Sequence, residues 1–322
     1  MASTATWDPS MKLHFEEKLP HQLAAIEAVC DLFHGQESCR TEFTVTRMVA
    51  SPQMGLQLEP GVQESEHGIG NRLALLDDEL LKNLNTVQLH HALPPSTTER
   101  PRDFTVEMET GTGKTYVYLR TIFELHKRYG FTKFVIVVPS VAIKEGVYKT
   151  LQITEKHFKG LYANTPCDYF IYDSAKLGQL RNFASSPNIQ VMVTTVGAIN
   201  KFGDEEAAAE EESDEARRRE KSKNVMYRPS EKTGGEKPID LVRATQPILI
   251  VDEPQSVDGG IDGKGRQALA RMAPLCTLRY SATHADKFDM VYRLDAVDAY
   301  EQKLVKQIEV AGATIVGAAN RP

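Results

Sequence analysis

A chain of 322 residues, 41% hydrophobic and 25% charged, suffices for one large or two ordinary domains, and no run in it approaches the apolar length of a membrane span. The amino terminus lacks the basic start and apolar core of a signal peptide, and Cys30, Cys39, Cys167 and Cys276 form no CxxC pair, so a cytoplasmic protein without a zinc site or disulfide framework is expected. The net charge of −6 sits in residues 204–220, DEEAAAEEESDEARRRE, with nine acidic and three basic residues; the rest is neutral, which leaves room for a local basic groove.

In chain order, LPHQLAAIEAVCDLF (19–33) has apolar residues at helical spacing, Pro20 in its first turn and Gly35 just past its end, and is expected to be a helix. Residues 36–100 are less regular: TEFTVTRMV reads as a strand, RLALLDDELLKNL as a helix and LPPSTTERP as a linker. From residue 103, strand-like runs recur at FTVEM, KFVIVVP, DYFIYD, IQVMVTTV, PILIVDE and CTLRYSAT, with helical patterns between most of them. Strands alternating with helices imply right-handed crossovers, so the expected class is α/β, with a mostly parallel sheet covered by helices on both faces. Residues 203–238 are poor in apolar side chains and read as an unordered surface insertion without chemistry.

Two stretches carry the chemistry. FTVEM runs into ETGTGKT (109–115) and then a helical pattern, the strand, glycine-rich loop and helix that a phosphate-binding loop requires. Around Thr110 and Thr112, Gly111 and Gly113 let backbone N–H groups turn toward phosphate oxygens, Lys114 reaches the β and γ phosphates of ATP, and Thr115 places its hydroxyl on Mg²⁺. The strict pattern has a glycine where this chain has Met108. ILIVDEPQ (248–255) drives an apolar strand into two adjacent carboxylates. Beside a phosphate loop, Asp252 fits the metal-holding acid and Glu253 the group that orients or deprotonates the attacking water. Taken alone, the same stretch reads as a strand ending at a polar turn.

Two further features fit around this pair. Gln22 offers an amide able to bond adenine, or is a helix-surface glutamine. Ser281 and Thr283 of RYSATH, with Gln255, are placed to bond the acidic pair and relay nucleotide state. The pair His90 and His91 has no companions at metal-ligand spacing.

LPHQLAAI, METGTGKT, VVPSVAIKEGV, TTVGAINK, ILIVDEPQ and LRYSATH together resemble the glutamine motif and motifs I, Ia, Ib, II and III of a superfamily 2 helicase. The DEPQ form, followed by VYRLDAVDAYEQKLVKQIEV, resembles the Res subunit of type III restriction enzymes over about residues 12–315. The resemblance implies ATP-dependent motor action on DNA coupled to cleavage, in complex with a Mod methyltransferase subunit. It also implies contact with DNA phosphates through Ser140, Lys144, Thr194 and Thr195; the residues alone read as readily as a helix cap and a strand end. The expected division is 1–102 as an amino-terminal region bearing the adenine-recognition helix, 103–310 as a first RecA-like motor domain and 311–322 as a tail or the start of a further domain. A second motor domain with its arginine finger and a nuclease domain are expected to be missing, leaving the isolated chain nearly inactive unless an arginine such as Arg279 acts in trans. The alternatives are a stand-alone superfamily 2 helicase acting on DNA or RNA and a non-hydrolysing assembly module.

Overall fold

The computed structural model describes residues 15–49, 62–100, 102–200, 224–259, 263–284 and 286–306. Most of the expected insertion (201–223) and the expected tail (311–322) lie outside the described residues.

Seven strands form one parallel sheet, β3 (Asp103–Met108), β4 (Lys133–Val138), β5 (Cys167–Ile171), β6 (Ile189–Thr195), β7 (Ile248–Asp252), β8 (Cys276–Ser281) and β9 (Asp289–Leu294), in the order β5-β6-β4-β7-β8-β3-β9. The α/β expectation holds, and the apolar runs are continuous for a physical reason. Successive side chains on a strand point to opposite faces, and here both faces are covered, so the central runs of β4 and β7 are apolar at both parities. Phe134, Ile136 and Val138 of β4 join Ile248 and Ile250 of β7 in one core, whereas Val135 and Val137 join Leu249 and Val251 in the other.

The first core is covered by α1 (Pro20–Asp31), α2 (Asp77–His90), α3 (Lys114–Tyr129) and α4 (Val141–Leu161). The second is covered by α5 (Gly178–Ser185), the short α6 (Val196–Ile199), α7 (Pro238–Ala244), α8 (Pro254–Asp258) and α9 (Lys264–Arg271). A final helix, α10 (Ala296–Glu301), follows β9. Among the described residues no helix is long and apolar enough to cross a membrane.

β1 (Arg40–Val49) and β2 (Val62–Asn71) form a separate antiparallel ribbon. Its base is tied to the sheet by Asn71. That side chain donates to the carbonyls of Lys133 (2.8 Å) and Gln246 (3.2 Å) and accepts from the amides of Thr132 (2.8 Å) and Lys133 (3.2 Å).

Three sequence expectations are corrected. The helix expected in RLALLDDELLKNL begins only at Asp77, where the Glu79 carboxylate accepts from the Leu76 amide at 2.8 Å and closes the start. Residues 224–237, assigned to an unordered insertion, are packed: two 3₁₀ turns, Val225–Tyr227 and Glu231–Thr233, bury Met226 and Tyr227 in the second core. β2 and β9 were not expected. β2 is largely polar because much of the ribbon faces solvent, and β9 is a sheet edge with an exposed Arg293.

Candidate functional site

All seven strands being parallel, their carboxyl ends lie along one edge, where sheets of this kind place ligands. β3 delivers the loop 109–113 there, β7 delivers Asp252 and Glu253, β8 delivers Ser281, and β4 and β6 deliver Ser140 and Thr195.

In the loop, Gly111 (φ 87°) and Gly113 (φ 93°) take left-handed conformations that side chains resist. Gly113 is the N-cap of α3, and no side chain caps the first turn, so its amides stay available to an anion. Thr112 turns inward, its hydroxyl donating to the Glu109 carbonyl at 2.7 Å. Lys114, first residue of α3, reaches across to Glu253, with Nζ 2.6 Å from Oε1. A separation of 139 residues in sequence closes to one hydrogen bond.

Glu253 has φ 55°, a conformation rare for a residue with a Cβ, and such strain recurs at functional sites. Its amide donates to the Tyr280 carbonyl at 2.9 Å. Its Oε2 lies 2.7 Å from both the Gln255 amide nitrogen and Ser281 Oγ. Burial pushes the carboxyl up, but the bonds from Lys114, Ser281 and Gln255 outweigh it and hold Glu253 below the ordinary carboxylate range. Asp252, 7% exposed, behaves oppositely: burial pushes it up to about 6 although Lys114 draws it down. The Tyr118 hydroxyl, fully buried, lies 3.5 Å from Asp252 Oδ2 and also meets the Thr115 side chain. A buried carboxylate held this weakly, next to a threonine hydroxyl, fits a divalent cation, which would supply the charge that burial withholds.

The structure thus brings together Thr110–Thr115, Asp252, Glu253, Gln255 and Ser281. Thr283 joins through its backbone, its amide donating to Ser281 Oγ at 3.2 Å. Gln22 lies against the loop, its amide nitrogen bonded to the Thr112 carbonyl at 3.0 Å. His21, which sequence reasoning passed over, meets the same carbonyl at 3.0 Å. The adjacent HQ pair at the start of a helix was the available signal. Tyr118 was also passed over; it stands one helical turn after Thr115.

Of the four residues expected at DNA, Ser140 caps α4, with Oγ accepting from the Ile143 amide at 3.3 Å, and Lys144 lies on the first turn of that helix. Thr195 is the half-buried N-cap of α6. Thr194 is corrected: it is 1% exposed, and its side chain is closed off inside the sheet. Arg279 is corrected too. It is buried between Asp258 and Asp103 and is not presented to another molecule.

Fold and edge together define an α/β domain whose seven-stranded parallel sheet presents a glycine-rich loop and an acidic pair at its carboxyl edge. The chain belongs to the type III restriction enzyme Res subunit family, whose sequence model matches residues 19–285. It is 28% identical over 318 residues to the EcoP15I Res subunit of Escherichia coli, covering 91% of this chain and 28% of that protein. To the EcoPI Res subunit of Escherichia phage P1 it is 28% identical over 316 residues, with the same shares. The chain therefore spans little more than a quarter of the length of these relatives. Among solved structures, the Sulfolobus solfataricus SWI2/SNF2 ATPase core in complex with dsDNA is a faint likeness, at 10% identity and a TM-score of 0.34, covering 63% of this chain and 31% of that one.

Proposed function

We propose that this chain is the ATP- and Mg²⁺-binding motor portion of a type III restriction enzyme, working on DNA beside a Mod methyltransferase subunit. The observation that carries the nucleotide reading is the convergence of Lys114, Glu253, Gln255 and Ser281 within hydrogen-bond distance at the carboxyl edge, next to Asp252 and a glycine-rich helix start. Family membership is what supports reading DNA as the track and a methyltransferase as the partner.

In this reading the amides of 111–115 and Lys114 hold the phosphates. Thr115 and Asp252 would hold Mg²⁺, which when bound neutralises charge on the β and γ phosphate oxygens. Lys114 leaves Glu253 Oε1 for a phosphate oxygen, and the freed carboxylate accepts a proton from the attacking water while Ser281 and Gln255 keep Oε2 fixed. Gln22 and His21, bonded to the loop carbonyl, set the entry on which the adenine end rests. Ser140, Lys144 and Thr195 face DNA phosphates from the ends of β4 and β6. Residues 103–310 form the motor domain and 1–102 its nucleotide-entry region, and the protein works in the cytoplasm.

Replacing Lys114 by Ala removes a charge-assisted bond to phosphate without opening the core. Calorimetric titration with Mg·ATP is expected to show affinity at least about 10-fold weaker, the loss of one such bond. Affinity equal to the parent protein would sink the assignment of the loop.

A further inference from the structure

Strand β8 alternates two kinds of side chain. Cys276, Leu278 and Tyr280 enter the first core, while Thr277, Arg279 and Ser281 occupy the opposite face, all of them buried. Two of those polar side chains hold the segment that follows the acidic pair. Ser281 Oγ lies 2.7 Å from Glu253 Oε2 and 3.1 Å from Gln255 Oε1, at the start of α8. Arg279, 2% exposed, donates from Nη1 to Asp258 Oδ2 at 2.6 Å, at the end of that helix. Its Nε donates to Asp103 Oδ1 at 2.9 Å, and its guanidinium lies 4.3 Å from the Phe288 ring centre.

Asp258 is 5% exposed, and its Oδ1 is buried without a hydrogen-bond partner among the described residues, so its charge depends on Arg279. The chain beyond is packed against it: a Cβ on Gly263 would lie 1.9 Å from the Asp258 carbonyl oxygen, and one on Gly265 1.9 Å from that of Val257. The far end of α8 therefore has no room to drift while the ion pair stands.

We propose that Arg279 and Asp258 are positioning residues for Glu253. They pin the carboxyl end of α8 to the strand on which Ser281 pins its amino end, and this two-point attachment holds Glu253 in its left-handed turn facing Lys114. The proposal rests on the reading of Glu253 as the carboxylate that orients the water.

The test is single-turnover hydrolysis of Mg·ATP with protein in excess, which reads slow rates, together with Mg·ATP affinity and amide exchange at 253–258. Asp258→Asn and Arg279→Gln are each expected to slow hydrolysis about 10- to 100-fold, the consequence of a misplacement near 1 Å, with affinity within about threefold of the parent. Exchange should quicken at Ser256, whose amide bonds the Glu253 carbonyl at 3.0 Å, but not in β7. The double variant should be no slower than the worse single one, and Arg279→Lys should recover part of the rate. If Arg279→Gln does not fold, the paired Asp258→Leu/Arg279→Met replacement, which leaves no buried charge alone, should fold and still hydrolyse slowly. Parental rates in folded Asp258→Asn, or exchange quickened equally throughout the sheet, would overturn the proposal. Glu253→Gln separates the two failures: if it hydrolyses normally the water-orienting reading itself is wrong, whatever Arg279 does.

Discussion

On the proposed reading, Asp252 sets stability against function within one side chain. Burial raises its pKa from 3.8 to about 6, so between those values the folded protein binds a proton that the unfolded chain does not. Stability therefore falls as pH rises through that window, and above about 6 the full cost of a buried charge is present. Asn is nearly isosteric and carries no charge. Asp252→Asn is expected to stabilise the protein by about 1–3 kcal/mol at pH 8, an advantage that shrinks toward pH 4. The same change should abolish the Mg²⁺ dependence of nucleotide binding. Thermal melts at the two pH values check the first part; a lower melting temperature for the variant at pH 8 would refute the burial argument.

At Glu253 the balance is reversed, since three hydrogen bonds favour the charged form. Two adjacent carboxylates thus have their proton affinities pushed apart by environment alone, in keeping with the proposed division of one to a metal and the other to a water. Their identities and spacing were legible in DEPQ. Their opposite titration was not, because it depends on the burial of Asp252 and on the bonds to Glu253 from Lys114, Ser281 and Gln255, both set only by folding.

Among the elements, the ribbon depends on Asn71, 1% exposed, whose amide satisfies four backbone bonds between β2 and the starts of β4 and β7. Asn71→Ala would leave those groups buried without partners, at roughly 1–3 kcal/mol for each group that water cannot reach. The expected result in chemical denaturation is a lowered midpoint with nucleotide affinity retained, because the bonds lie at the amino edge, opposite the site. Nothing in the GIGNRL stretch marks this asparagine, because its partners lie some 60 and 175 residues away.

The segment 224–237 teaches the converse lesson. Its charge, Gly and Pro content reads as solvated chain, yet Met226 and Tyr227 are buried, and the Tyr227 hydroxyl donates to the Ile199 carbonyl at 2.6 Å. Sequence reasoning expects deletion of 204–235 to leave folding unchanged. With two large side chains leaving the second core, a loss of about 3–5 kcal/mol is expected instead. Calorimetric melting of the shortened chain decides between them; an unchanged melting temperature would show the anchor to be dispensable.

For the whole molecule, the helices that precede residue 103 belong to the core of the seven-stranded sheet. Ala25, Val29, Leu32 and Phe33 from α1 and its end, and Leu80 and Leu84 from α2, are buried in the same cluster as Phe104, Ile136 and Leu278. A chain of residues 103–306 alone would expose the face that α1 and α2 cover. It is expected to lack cooperative unfolding and to associate, as seen by circular dichroism and size-exclusion chromatography.

By itself the sequence determined what is local. Continuous apolar runs marked the central strands because both faces of the sheet are covered, and GTGKT and DEPQ stood out as candidate site segments because a phosphate loop and an acidic strand end each need particular residues at fixed spacing. Only the tertiary structure decided what is shared between distant segments. Strand order brings β3, β7 and β8 side by side, so that Lys114 meets Glu253, Arg279 is enclosed between Asp258 and Asp103, and Thr194 is shut away from the edge it was expected to line. Each of those outcomes depends on which groups become neighbours and how much water is removed around them, and neither is encoded in the spacing of any one motif.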